Sequence, residues 1–159
     1  MNKPDEIAVP NAIGATAATA NLTVNGGDPL PRTLVRALNP TDRAIVITES
    51  TSPYRVWNVN AAWQKLCGYT LLEARHHTLG SLLANSEVSS VKAIDLAEQL
   101  LLQQQQQQQQ GQRQEVEATL VNYKKCGRRF VDRLRLGCLR DARGRVTHFV
   151  GVVEEVPAP

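Results

Sequence analysis

The chain has 159 residues, 42 % hydrophobic and 21 % charged, with 18 Lys and Arg against 15 Asp and Glu for a formal net charge of +3. These values fit one soluble domain; no apolar run approaches the roughly 18 residues of a membrane span. Aromatics at 4 % exclude a stacking platform for single-stranded nucleic acid.

In chain order, Met1 to Glu6 is acidic with no apolar core behind it, so no secretory or organelle address is expected; the compartment read from the sequence is the cytoplasm or nucleus. Residues 7–29 are mostly Ala, Thr, Asn and Gly and offer little to bury, so residues 1–29 are expected to form a disordered leader. Residues 30–41 read as a short flanking helix over Leu30 to Leu38, opened by Pro31 and closed before Pro40. Residues 42–156 have the composition of a globular domain with enough chain for one core.

Within it, Ala44–Thr48 and Arg55–Val59 read as short strands joined by the turn-prone Ser50-Thr51-Ser52-Pro53. Asn60 is placed to cap a helix over Ala61 to Cys67, which Gly68 stops. A small helix fits Leu71 to Arg75, and apolar residues at 91, 94, 97 and 101 give Val91 to Leu102 a helical face. Eight glutamines (103–110) begin a Gln-rich insert at 103–114, read as a helix extension or a surface loop. Val116–Lys124, Arg128–Leu139 and Val146–Glu155 read as strands. Lys125-Cys126-Gly127 forms the first turn between them, and Asp141-Ala142-Arg143-Gly144 carries the type I signature. Two strands, several helices and a three-stranded meander predict an α+β fold with helices on one face of an antiparallel sheet.

Strand alternation sorts the side chains. Phe130, Asp132, Leu134, Leu136 and Cys138 share the buried side of their strand, and Asn122 points inward with Val116, Ala118 and Leu120. Two polar groups on a core face are costly unless hydrogen-bonded. They read either as the polar handles of a ligand pocket or as strand-end groups bonded to backbone or water.

The opposite side is basic. Lys124, Lys125, Arg128, Arg129, Arg133, Arg135, Arg140, Arg143 and Arg145 are opposed within the segment only by Asp132 and Asp141, so it carries +7 while the rest of the chain carries −4. A solvated sheet face accounts for this; a nucleic-acid surface would bring aromatic interleaving or a recognition helix, and neither accompanies it.

Catalytic and metal chemistry have no visible apparatus, and no enzyme activity is expected. Cys67, Cys126 and Cys138 are odd in number and lack C-x-x-C spacing, so neither a disulfide framework nor a zinc site is indicated. His76 and His77 are neighbours that point apart on a helix, and His148 alone does not complete a ligand set. No G-x-S-x-G, P-loop or G-x-G-x-x-G occurs.

The order of elements resembles a PAS domain over about residues 34–156. Ile45-Val46-Ile47-Thr48, Asn60-Ala61-Ala62-Trp63 and Leu66-Cys67-Gly68-Tyr69-Thr70-Leu71-Leu72-Glu73 carry the opening half. Leu120-Val121-Asn122-Tyr123, Gly127-Arg128-Arg129-Phe130 and Leu139-Arg140-Asp141-Ala142-Arg143-Gly144 continue it, and Val146-Thr147-His148-Phe149-Val150-Gly151-Val152 closes it. The stretch is similar to the light-oxygen-voltage (LOV) subclass of aureochrome and phototropin type. The resemblance implies a PAS fold with a five-stranded antiparallel sheet and helices packed on one face.

For a LOV domain the resemblance also implies FMN and a cysteinyl adduct formed in blue light from a G-x-N-C-R-F-L-Q motif. The corresponding stretch is His76-His77-Thr78-Leu79-Gly80-Ser81-Leu82-Leu83. Leu79 stands at the cysteine position, Gly80 at that of the phosphate-binding arginine and Leu83 at that of the glutamine. Cys67 is a helix away from the adduct position. Of the flavin-edge positions, Asn122 matches the first asparagine, Asp132 replaces the second, and Val153 replaces the glutamine of the last strand.

Losing several amide bonds, each worth about 1 kcal/mol, and a charge-assisted phosphate contact weakens FMN binding by orders of magnitude. The expectation is a non-catalytic LOV-like sensory module without adduct photochemistry, with no cofactor, acting by dimerisation or partner binding. The alternative is a sensor that binds FMN or another planar molecule without an adduct. The partner surface implied is the outer sheet face, with Val121, Tyr123, Val131, Val150 and Val152 among Arg129, Arg133 and Arg135, and with Leu34 and Val35 of the flanking helix against it. Neither a membrane nor a nucleic acid is expected as partner.

Overall fold

The computed structural model describes residues 28–84, 87–106 and 115–157. The leader expected over residues 1–29 lies outside them except for its last two residues, as does most of the insert at 103–114. Every element below belongs to the unit Pro31–Pro159.

Helix α1 (Leu34–Ala37) is followed by strands β1 (Ala44–Glu49) and β2 (Val56–Val59). Helices α2 (Ala61–Cys67), α3 (Leu71–Ala74), α4 (Leu79–Leu83) and α5 (Glu87–Gln106) come next, and strands β3 (Glu115–Tyr123), β4 (Arg129–Arg140) and β5 (Val146–Val156) close the chain. The five strands form one antiparallel sheet in the order β2-β1-β5-β4-β3, an α+β fold.

Local chemistry explains most boundaries. Asn60 does more than cap α2. Its Oδ1 accepts from Trp63 N at 2.9 Å and from Ile45 N at 3.0 Å, and its Nδ2 donates to the Arg43 carbonyl at 2.7 Å. One side chain thus starts the helix and bolts it to β1. Gly68 ends α2 at φ 90°, and a Cβ there would stand 3.2 Å from the Lys125 Cβ, so both the backbone and the space call for glycine. Gly68→Ala is expected to destabilise the fold by about 1–2 kcal/mol, read as a lowered urea midpoint with unchanged m-value.

Three elements depart from the sequence reading. The flanking helix is one turn, not the span from Leu30, because the Thr33 side chain accepts from Arg36 N and sets the start at Leu34, three residues beyond Pro31. Helix α5 outruns the apolar window at both ends and enters the glutamine tract as far as Gln106, since glutamine is a good helix former. Helix α4 was not expected; Thr78 caps it, its hydroxyl accepting from Ser81 N at 3.1 Å.

The core lies between the sheet and α2–α5, around Trp63, Cys67, Leu83, Leu100, Leu134 and Phe149. Cys138 packs against it, as read from the alternation. The outer side of the sheet is also apolar at its centre. Ile45, Ile47, Leu139 and Val150 are buried although they alternate with the core residues. Val131 and Val152 are likewise buried, so the outer face is narrower as a surface than alternation implied. In the flanking helix Ala37 is buried, whereas Val35 is 75 % exposed. The segment before α1 is tied to the end of β4 by Arg140 N donating to the Arg32 carbonyl at 2.9 Å.

Candidate functional site

Antiparallel pairing brings the two inward polar side chains together. Leu120 faces Asp132 and Asn122 faces Phe130 across β3 and β4, so Asn122 and Asp132 are diagonal neighbours. The Asn122 Nδ2 donates to the Asp132 Oδ1 at 2.9 Å, and both residues are buried. Val153 enters from β5, where it pairs with Leu134.

The facing wall is α4, hung between two tethers. On its N-terminal side, the His77 carbonyl accepts from Val56 N at 2.7 Å, and His76 N donates to the Val56 carbonyl at 3.0 Å with His76 at φ 68°. On its C-terminal side, the Tyr69 hydroxyl donates to the Leu82 carbonyl at 3.0 Å. So held, α4 presents Leu79, Gly80 and Leu83 to the sheet. Together with Leu120, Asn122, Asp132, Leu134 and Val153 they line a cavity of about 10 Å³, room for about one water molecule.

All four site residues read from the sequence (Leu79, Asn122, Asp132 and Val153) therefore meet at one cavity. Its polar lining is the Asn122–Asp132 pair; the other walls are hydrocarbon or glycine. Burial pushes the Asp132 carboxyl up to about 7, with the Asn122 hydrogen bond opposing the shift. Cys67, buried at the end of α2, belongs to the same electrostatic neighbourhood. Burial, and secondarily the charge of Asp132, push its thiol up to about 12. Cys67 is thus an inert thiol. Its link to Asp132 was invisible in sequence, because it depends on how α2 crosses the sheet.

The nine cations of residues 124–145 are largely answered by carboxylates from neighbouring elements. Glu155 accepts from Lys124 at 3.1 Å and Arg128 at 2.9 Å, Glu115 accepts from Arg135 at 2.9 Å, and Arg133 pairs with Glu154. Lys125 pairs with Glu73, and Arg145 with Asp141. The charge excess read along the segment is a property of the linear order; β3, β5 and α3 supply the missing negatives. Among the described residues no group of three or more His, Cys, Asp or Glu could hold a metal ion, and no helix is long and apolar enough to cross a membrane.

Comparison with known proteins agrees with this architecture. A LOV domain studied with a flavin analogue superimposes with a TM-score of 0.60 at 26 % identity, over 78 % of this chain and 84 % of that one. The light-state structure of the Aureochrome1 LOV domain gives 0.56 at 22 %, over 79 % and 90 %. The LOV domain of the blue-light-activated histidine kinase EL346 of Erythrobacter litoralis gives 0.57 at 19 %, over 75 % and 100 %. The last two likenesses speak for the fold alone. None of the curated proteins matches the sequence. The PAS fold family matches residues 32–156. With that match, the five-stranded antiparallel sheet and the helices enclosing one face, this chain belongs to the PAS family.

Proposed function

We propose that this protein is a LOV-like PAS sensory module that works without blue-light adduct chemistry and without a flavin, and that transmits its signal by dimerisation or partner binding. The observation that carries the reading is the hydrocarbon wall of the pocket. Leu79 lines it where a LOV domain needs its reactive sulfur, and Val153 lines it where a flavin carbonyl needs an amide. The residues present do not fit FMN. The cavity, with room for about one water, would have to open for a tricyclic ring to enter. Ionised Asp132 would set negative charge against a ring edge that the family meets with a neutral amide.

The exposed apolar residues of the flank, Val35 at 75 % and Leu38 at 49 %, support association through α1. The second reading, FMN or another planar molecule bound without an adduct, rests on the buried Asn122 amide, which stands where the LOV resemblance implies a flavin-edge asparagine. The visible spectrum of the freshly purified full chain tests both. A colourless protein is the expected result. A flavin band that bleaches under blue light overturns the proposal, and a flavin band that does not bleach establishes the second reading.

A further inference from the structure

A buried carboxyl in a slot this small is a strong constraint. Asp132 is 1 % exposed, and its side-chain hydrogen bond comes from the neutral amide of Asn122. Its register partner on β5 is another carboxylate, Glu155, which takes up the two nearest cations, Lys124 and Arg128. The wall opposite is α4, five residues long, with leucines and Gly80 toward the carboxyl. Protonated, Asp132 suits this slot. Ionised, it has no cation in hydrogen-bonding distance among the described residues and space for about one water.

We propose that Asp132 and α4 form a proton-operated latch: α4 closes on the sheet while Asp132 is protonated and lifts to admit water when Asp132 ionises. The pocket that the family uses for a ligand then responds to protons, and this inference rests on the reading that no flavin fills it. The sheet is the rigid side, since β4 is hydrogen-bonded along both edges by β3 and β5. Helix α4 is the yielding side: it is only five residues long, and its internal bonds include Leu82 N to the Thr78 carbonyl at 3.2 Å and Ala84 N to the Gly80 carbonyl at 3.0 Å. Its C-terminal end lifts by opening one side-chain tether, the Tyr69 hydroxyl on the Leu82 carbonyl, while the Val56 bonds hold its N-terminal side as the hinge. The carboxyl titrates near neutrality because burial raises it to about 7, so the latch works where cells vary their pH.

Other groups around Asp132 are accounted for by element. From α2 comes Cys67, held as the neutral thiol by its own burial. From the β3 end comes Lys124, engaged with Glu155 and 5.3 Å from the centre of the Phe130 ring. Helix α4 carries no charged residue, but His76 and His77 precede it and are exposed, and Asp95 and Glu98 are exposed on α5. The experiment must separate them from Asp132.

Amide hydrogen exchange of Leu82 and Ala84 in the full chain, corrected for intrinsic rates, is compared at about pH 5.5 and about pH 8.5 in wild type and Asp132→Asn. The expected result is exchange faster at the higher pH by on the order of tenfold in wild type, and a ratio near one in Asp132→Asn. Glu155→Gln, which removes the neighbouring negative charge, is expected to move the wild-type midpoint to lower pH. The carbon-13 shift of the Asp132 carboxyl supplies that midpoint directly. Equal corrected rates at the two pH values in wild type overturn the latch. So does a pH response that survives in Asp132→Asn, which places its origin outside Asp132, and so does an Asp132 carboxyl ionised throughout. The visible spectrum is read on the same sample, so a bound flavin and a missing latch are distinguished.

Discussion

Asp132→Asn is expected to make the protein more stable than wild type above neutral pH and equally stable near pH 4. An unfolded aspartate titrates near about 3.9, whereas the folded carboxyl is raised to about 7. Between these values the native state binds the proton that the unfolded state has lost, so wild-type stability falls as pH rises through the window. The penalty is absent below the unfolded value and complete above the folded one. Its ceiling is about 4 kcal/mol.

Asparagine keeps the shape and can still accept from the Asn122 amide through its own oxygen, so the variant removes the charge and little else. Urea midpoints across about pH 4 to 9 for both proteins check this. A variant less stable than wild type at the alkaline end would mean that the carboxylate is welcome in its site. A gap that widens and then levels below the ceiling is what an opening α4 produces, because water then relieves the buried charge.

Val150→Glu is expected to unfold the domain rather than alter its association. Val150 lies on the outer side of β5, between Ile47 of β1 and Gly137 of β4, and is fully buried. A glutamate there loses the apolar contacts and carries a charge with no cation opposite it in either neighbouring strand. A loss on the order of 4 kcal/mol or more follows, a large share of the 5–15 kcal/mol that holds a domain together. Val35→Glu is the contrasting change. At 75 % exposure it is expected to shift stability by no more than about 0.5 kcal/mol while weakening any self-association through α1. Thermal melting with sedimentation velocity on both variants separates the cases. A Val150→Glu protein that melts like wild type would place the outer face at the surface after all.

Much of this architecture was legible from residue order because its signals are local. Asn60 before a helix, Gly68 after it, and Asp141 with Gly144 around a turn each state their role in a few residues, and the structure uses them so. The inward direction of Asn122 and Asp132 was also readable, since a period of two assigns faces without knowledge of the partner strand. Helix α4 was not. Its five residues make little more than one turn, too few to show a repeating apolar face, and what holds it comes from far along the chain, from Val56 and Tyr69.

The sequence by itself determined the order of elements, the fold class and the chemical identity of the pocket positions: a leucine without sulfur, an aspartate, an asparagine and a valine. Only the tertiary structure decided what those positions mean together. Charge that looked one-sided along residues 124–145 met its glutamates across β3, β5 and α3. Val131, Val150 and Val152, read as part of a docking face, proved to be interior. Asp132 acquired its raised affinity for a proton from its surroundings. In each case the reason is the same: burial and ion pairing depend on distances between segments remote in the chain, and alternation along one strand carries no such distance.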